Sequence, residues 1–321
     1  MRPEEPADVG VGLGEASAGI EAHRFGHEAM ATVFEVFCAH DDPGYAGQAA
    51  RAAFDLVDRL ERELSRFRAS SDVSRINALV AGQATRVTPE TMECLEIARR
   101  MHGLTQGAFD ISLGSGLEQL ELVTDGFLVR ARADGVRLDL GGIGKGYAVD
   151  RMAELLDEWE IPRALLHGGF SSVLAREPPR GHEGWPLTLT PPGGGDGRAR
   201  IRISARRQAL SASGTQKGAH IVDPRTGRPA RHRAVWVALP GPKTPGEALG
   251  AWIDALRSPA AVAEALSTAF MVLPVHEIEA LCQKGPGLEA WVFAGASEGG
   301  PLLGARRAEG LVAGREPDPG P

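Results

Sequence analysis

Cysteine is scarce in this chain of 321 residues: Cys38, Cys94 and Cys282 are its three. They are odd in number and far apart, which excludes a disulfide framework and any close metal-ligand spacing. Buried thiols in a reducing compartment are the expectation. No apolar run approaches the roughly 20 residues that a membrane-crossing helix needs. The opening Met1-Arg2-Pro3-Glu4-Glu5-Pro6-Ala7-Asp8 is acidic and lacks an apolar stretch, so neither a signal peptide nor a location outside the cytoplasm is expected. The net charge of −7 gives no general attraction to nucleic acid or to an anionic membrane surface. Lysine is rare as well: Lys145, Lys217, Lys243 and Lys284 are four among 35 basic residues, and the others are Arg.

What remains is an ordinary soluble composition, 43% hydrophobic and 24% charged, long enough for a large core in one or two domains. Residues 1–22 are expected as a disordered arm, 23–300 as the folded domain and 301–321 as a frayed tail. Residues 176–200, rich in Pro, Gly and charge, predict a long loop or a weak hairpin. Thr32-Val33-Phe34-Glu35-Val36-Phe37 predicts a strand, as do Ile201–Ile203, Val235–Leu239 and Ala290–Phe293. Apolar residues at helical spacing predict helices over 45–65, after Thr88-Pro89-Glu90, after Lys145 and after Ser258-Pro259. Strands and helices interleave without a regular βαβ rhythm, which favours α+β.

One segment stands out: Leu138-Asp139-Leu140-Gly141-Gly142-Ile143-Gly144-Lys145-Gly146-Tyr147-Ala148-Val149-Asp150. It predicts a short buried strand, a glycine turn and the first turn of a helix. Orphan N–H groups and the positive end of the helix dipole collect there, and glycines let backbone approach a ligand. A chain that otherwise uses Arg but keeps Lys145 here suggests a site wanting a compact point charge. The segment matches neither the P-loop nor the dinucleotide-binding glycine pattern. It fits a phosphate cradle and a plain tight turn equally well.

Three further groups carry possible chemistry. Gly107-Ala108-Phe109-Asp110 follows a helix and reads on its own as a C-capping glycine with a buried ring. Asp223-Pro224-Arg225-Thr226-Gly227 is a natural turn in which Asp223 hydrogen-bonds its own backbone. That turn leaves His220, just before it, unexplained. Glu264 and Thr268 lie four apart on one helical face. They are either part of a solvated stripe or a pair of hard oxygen ligands for Mg²⁺, with phosphate completing the shell.

Taken in order, these motifs resemble a known family. Met30-Ala31-Thr32, then Leu64-Ser65-Arg66-Phe67-Arg68 through Ser74 and Asn77, and Gly107-Ala108-Phe109-Asp110 come first. The Leu138–Asp150 block, Gly168-Gly169, Ser213-Gly214, His220 through Gly227 and Ala265-Leu266-Ser267-Thr268-Ala269 follow. Over residues 25–295 the chain is similar to the ApbE family of FAD:protein FMN transferases. The resemblance implies an α+β fold with a T-fold-like core. It implies FAD as substrate, Mg²⁺ as cofactor, and transfer of FMN to a Ser or Thr hydroxyl of an acceptor protein with release of AMP. It places Met30, Phe67, Ala108, Phe109, Asp110, Lys145, Arg151 and Ile221 at the FAD site. The backbone carbonyl of Ala148, with Glu264 and Thr268, would hold the metal. Lys145 and His220 would be catalytic, His220 as acid/base or orienting group near the acceptor. Alternatives are an FAD pyrophosphatase, with water in place of the acceptor hydroxyl, and a non-catalytic flavin-binding protein with a degenerate metal site. The chain departs from the family pattern at Ala31 (usually Gly), Phe67 (commonly Tyr), Phe170-Ser171, the short stretch between Ser213 and His220, and Glu264 (usually Asp).

Overall fold

Alternation along Thr32–Cys38 gives a strand whose two faces serve two different cores: Phe34, Val36 and Cys38 face one, Phe37 the other. The same division recurs in neighbouring strands and organises the molecule. A computed structural model describes residues 10–13, 20–190, 201–215, 221–241, 257–285, 287–294 and 303–304.

In chain order the elements are β1 (Gly10–Leu13), β2 (His23–Ala29), β3 (Thr32–Cys38), α1 (Pro43–Leu64), α2 (Asp72–Asn77), β4 (Ala84–Arg86) and α3 (Pro89–Leu104). Next come β5 (Leu120–Val123), β6 (Leu128–Ala131), α4 (Gly144–Glu158), β7 (Ala164–Gly168), β8 (Ser172–Ala175), β9 (Trp185–Thr190), β10 (Ile201–Ala205), β11 (Gln208–Gly214) and β12 (His232–Pro240). The last are α5 (Pro259–Phe270), α6 (Val275–Lys284), β13 (Glu289–Ala294) and β14 (Leu303–Gly304). The α+β expectation holds.

The main sheet has eight antiparallel strands in the order β14-β13-β12-β11-β8-β7-β3-β2. Helices α1, α3, α4 and α5 cover one face and bury the larger core with Phe34, Leu166, Leu174, Val235 and Val237. The sheet β1-β9-β10 covers the other face, where Trp185, Leu187 and Val11 meet Phe37, Leu165 and Trp236. A third small sheet has the order β4-β6-β5. All three cysteines are free and buried, and burial pushes the thiols of Cys38 up to about 11 and Cys282 up to about 12. Among the described residues no helix is long and apolar enough to cross a membrane.

Two expectations differ from what is observed, and a third resolves toward one of its alternatives. Gly10–Leu13, inside the predicted arm, is a strand paired antiparallel with β9 from Gly10↔Thr190 to Leu13↔Leu187. Leu303–Gly304, inside the predicted tail, pairs with β13. Within residues 176–200, expected as a long loop or a weak hairpin, Trp185–Thr190 is the first arm of an antiparallel pair with β10 and also pairs with β1 on its other edge, and its alternation of buried and half-buried residues sets one face on the second core. Pro186 and the surrounding Gly and Pro residues hid its central place in the sheet.

Candidate active site: a cavity where two helices cap one another

The Leu138–Leu140 segment belongs to no sheet. A side-chain amide takes the place of a neighbouring strand: Asn77 Nδ2 donates to the Leu138 carbonyl (3.0 Å), and the Leu138 N–H donates to Asn77 Oδ1 (2.6 Å). The Asp139 carboxylate then accepts from the Gly141 N–H (2.9 Å) and pairs with Arg66 (3.0 Å), which shapes the glycine turn.

Helix α4 begins at Gly144 with no side-chain cap of its own, since Ile143 occupies the cap position. The missing acceptor comes from α5: Glu264 Oε2 accepts from the Gly146 N–H (2.7 Å). The service is returned. Asp150 of α4 accepts from the N–H groups of Ala260 (3.0 Å) and Ala261 (2.8 Å) in the first turn of α5. Each helix therefore satisfies orphan donors of the other, with an acidic side chain accepting at the first turn of its neighbour. Burial pushes the Asp150 carboxyl up to about 8 against the pull of those two N–H groups. Gly146 permits the contact, because a Cβ there would stand 2.3 Å from the Ala260 carbonyl oxygen. This glycine is required by helix packing rather than by a ligand.

The helix pair closes one end of a cavity of about 520 Å³. Its walls come from Met30, Ala31 and Thr32; from Ala108, Phe109, Asp110, Ile111 and Leu113; from Asp139, Gly141, Gly142 and Lys145; from Phe170 and Ser171; from Ala212, Ser213 and Gly214; from Ile221, Val222 and Pro224; and from Glu264 and Thr268. Met30 and Ala31 form the two-residue β2–β3 turn with φ of 50° and 56°, the left-handed pair that such hairpins demand and that glycine fills most easily. Asp110 folds the loop after α3 by accepting from Ser112 N–H (2.8 Å), Ser112 Oγ (2.7 Å) and Gly114 N–H (2.8 Å). Asp223 accepts from the Arg225 N–H (3.0 Å) and its Nε (2.9 Å), and the Arg225 side chain holds the Asp223 carboxyl below the usual range.

Of the residues singled out in the sequence, Met30, Ala108, Phe109, Asp110, Lys145, Ile221, Glu264 and Thr268 line this one cavity. Phe67 does not: it is 83% exposed, with the Arg66 guanidinium 4.4 Å from its ring centre. Arg66 links that ring to the cavity wall at Asp139. Arg151 does not either. It lies six residues after Lys145, about 240° around the helix, and so faces away. It binds Ser258 (3.1 Å) and, in a second cleft of about 690 Å³, Glu93 (3.0 Å) and Glu154 (2.7 Å). Ala148 is fully buried in α4 and outside the lining. His220 lies outside the described residues, although Ile221 and Val222 directly after it line the cavity. Sequence reasoning gave no role to Asp139 or Ser213, though both stood inside quoted motifs. Leu113 carried no sequence signal; it is 62% exposed at φ 51°.

Glu264 is buried, and its Oε1 takes the Lys145 ammonium. Thr268 Oγ1 donates to the Glu264 carbonyl (3.0 Å), which leaves its lone pairs for the cavity. Ser267 is tied to the same carbonyl (3.0 Å) and to Ser211 (3.1 Å) and Ser213 (2.9 Å), which fixes α5 against β11. Among the described residues no three His, Cys, Asp or Glu side chains gather as a metal cage. The donor set at this corner is instead one carboxylate and one hydroxyl. That fits Mg²⁺, which prefers hard oxygens, keeps several waters and completes its shell with phosphate oxygens.

Comparison with known proteins agrees with this architecture. The sequence model described as the ApbE family matches residues 30–125 and 115–292. A FAD:protein FMN transferase of Vibrio cholerae is 24% identical over 222 residues, covering 57% of this chain and 66% of its own length. A FAD:protein FMN transferase of Klebsiella pneumoniae is 26% identical over 218 residues, covering 56% of this chain and 66% of its own. The chain thus spans just under two thirds of the length of these curated relatives. Among solved structures, a mutant of the flavin transferase ApbE from Vibrio cholerae superposes with a TM-score of 0.72 at 19% identity, covering 89% of this chain and 97% of that one. The apo form of the Pseudomonas stutzeri flavinyl transferase ApbE gives 0.71 at 21% identity, covering 88% and 93%. At such identities the structural likeness speaks for the fold.

Proposed function

The chain belongs to the ApbE family, and from that premise we propose that it transfers FMN from FAD to a Ser or Thr hydroxyl of an acceptor protein, releasing AMP, with Mg²⁺ as cofactor. The observation that carries the proposal is the convergence of Lys145, Glu264 and Thr268 on one cavity beside a helix N-terminus. Breaking a pyrophosphate builds charge on phosphoryl oxygens, so positioning and electrostatic stabilisation do most of the work. Lys145 offers a point charge at the start of α4, where the helix dipole is positive. Glu264 and Thr268 would hold Mg²⁺, which when bound would neutralise and polarise the phosphate oxygens. The Ala148 carbonyl, carried over from the family as a third ligand, belongs to a residue outside the cavity lining, so Glu264 and Thr268 are the oxygens this chain would offer there. Met30, Ala108, Phe109 and Ile221 supply apolar wall for the flavin, and Asp110 keeps its loop in place. Phe67 and Arg151 stay in this proposal as outer residues, Phe67 through Arg66 and Asp139, Arg151 through Ser258 and α5. His220 is the base for the acceptor hydroxyl, a role that suits an imidazole near neutral pH.

Incubation of the purified protein with FAD, Mg²⁺ and a Ser- or Thr-bearing acceptor protein tests the reading. AMP should appear in solution and flavin fluorescence should stay on the denatured acceptor. AMP with free FMN alone would make water the acceptor. FAD binding without AMP would make the protein a flavin carrier.

A further inference from the structure

Glu264 is engaged on both sides. Its Oε2 caps α4 through the Gly146 N–H (2.7 Å), and its Oε1 receives the Lys145 ammonium. The side chain is only 4% exposed, so its charge requires a cation close by. Lys145 is that cation, 23% exposed and facing the same cavity on a flexible stem. A divalent ion taking hard oxygens from Glu264 and Thr268 has Oε1 as its point of entry, because Oε2 is committed to the backbone. The ammonium and the divalent ion would then compete for one oxygen.

We infer that Lys145 gates the metal seat: its ammonium holds the place on Glu264 until an anionic ligand in the cavity draws it off. This rests on the reading of the cavity as an FAD and Mg²⁺ site. The exchange is balanced in charge. Lys145 gives up a carboxylate for a phosphate oxygen, and the metal takes the carboxylate it leaves. It also needs little backbone motion. The Lys145 main chain is fixed by the close approach of Gly146 to Ala260, and the Oε2 cap on α4 persists throughout. Pyrophosphate and metal are thereby coupled through one side chain, and the coupling is reciprocal.

Binding of Mn²⁺ to the full-length protein without FAD, followed by electron paramagnetic resonance, reads this directly. Lys145→Gln should bind Mn²⁺ about 5–150-fold more tightly than the wild type, the usual span of coupling between sites. Lys145→Arg, which keeps the cation, should match the wild type, and Glu264→Gln should bind more weakly than any of them. In melting experiments Mn²⁺ should raise the transition of Lys145→Gln more than that of the wild type, a comparison that survives a loss of stability in the variant. Equal or weaker Mn²⁺ binding by Lys145→Gln, with Glu264→Gln still impaired, would overturn the gate and leave the metal site standing. Undiminished Mn²⁺ binding by Glu264→Gln would remove the metal seat itself, and the gate with it.

Discussion

Lys145 answers to two partners, and this sets the size of its contribution to binding. A hydrogen bond to a charged group stabilises by about 1.5–3 kcal/mol. Lys145 must leave Glu264 to reach a phosphate, so the net contribution falls at the low end. Lys145→Met should therefore weaken FAD binding, titrated in EDTA, by about 1.5 kcal/mol. Unchanged affinity would reduce the residue to a partner of Glu264. Ala31 carries a different cost. At φ 56° it holds a conformation that disfavours any Cβ by about 1–2 kcal/mol, while glycine there costs about 0.4–1 kcal/mol in unfolded-chain entropy. Ala31→Gly should raise stability by about 0–1.6 kcal/mol in denaturant unfolding, as the difference of those two terms.

At the scale of elements the site is a property of the α4–α5 pair. Gly146→Ala would drive a methyl into the Ala260 carbonyl, which is backbone and cannot rotate away. The helices must part, at a cost of about 1–3 kcal/mol or more. Because parting them moves Lys145 and the start of α4 away from the cavity wall that α5 supplies, FAD binding should fall with the melting temperature. A variant that melts lower yet binds FAD normally would place the site's rigidity elsewhere. The sequence made the helices legible: period and caps gave α1, α3, α4 and α5 to within a few residues, and Thr88 caps α3 as its Ser/Thr-Pro-Glu pattern promised. Glu264 and Thr268 were legible as a pair on one face. Their meeting with Lys145 was not, since it joins residues 119 apart through a glycine that looked like a phosphate-loop residue. The Asn77 clamp on Leu138 was hidden for the same reason: a side chain stood in for a strand. Arg151 misled because a motif gives spacing along the chain, and only the helical turn shows that it faces the other way.

On the whole molecule two buried groups set opposite pH trends. Burial, with Arg24 adding to it, lowers His167 from 6.5 to about 4. The folded state keeps it neutral while the unfolded chain protonates, so this contribution is lost as pH falls from about 6.5 to about 4. Asp150 runs the other way. Its carboxyl stays protonated in the folded state up to about 8, so its contribution is present in acid and lost as pH rises from about 4 to about 8. His167→Leu should remove up to about 3 kcal/mol of acid destabilisation between pH 6.5 and 4. Asp150→Asn should flatten the decline above pH 6.5. Melting curves at stepped pH would check both, and parallel slopes in variant and wild type would refute the assignment.

The sheet β1-β9-β10 also ties Val11 to the cavity. Val11 is buried in the second core, and its N–H donates to the carbonyl of Phe170 (2.7 Å), a residue of the cavity wall. Phe170 is 54% exposed, so its ring has little packing to hold it and depends on a fixed backbone. That backbone is held from three directions. The Gly169 N–H donates to Val33 (2.9 Å), the Ala212 N–H to Ser171 (2.8 Å), and Val11 supplies the third bond. Deleting residues 1–14 removes β1, bares an edge of β9 and takes Val11 from the core. Loss of that side chain alone should cost about 1.5–3 kcal/mol of stability. FAD affinity should fall as well, by a smaller amount than in Lys145→Met, because one of three anchors of Phe170 is gone. Val11→Ser separates the two effects: it keeps the N–H and loses the burial, so it should melt low and bind FAD like the wild type. Equal FAD binding by the deletion and by Val11→Ser would confine β1 to stability and leave the cavity wall independent of it.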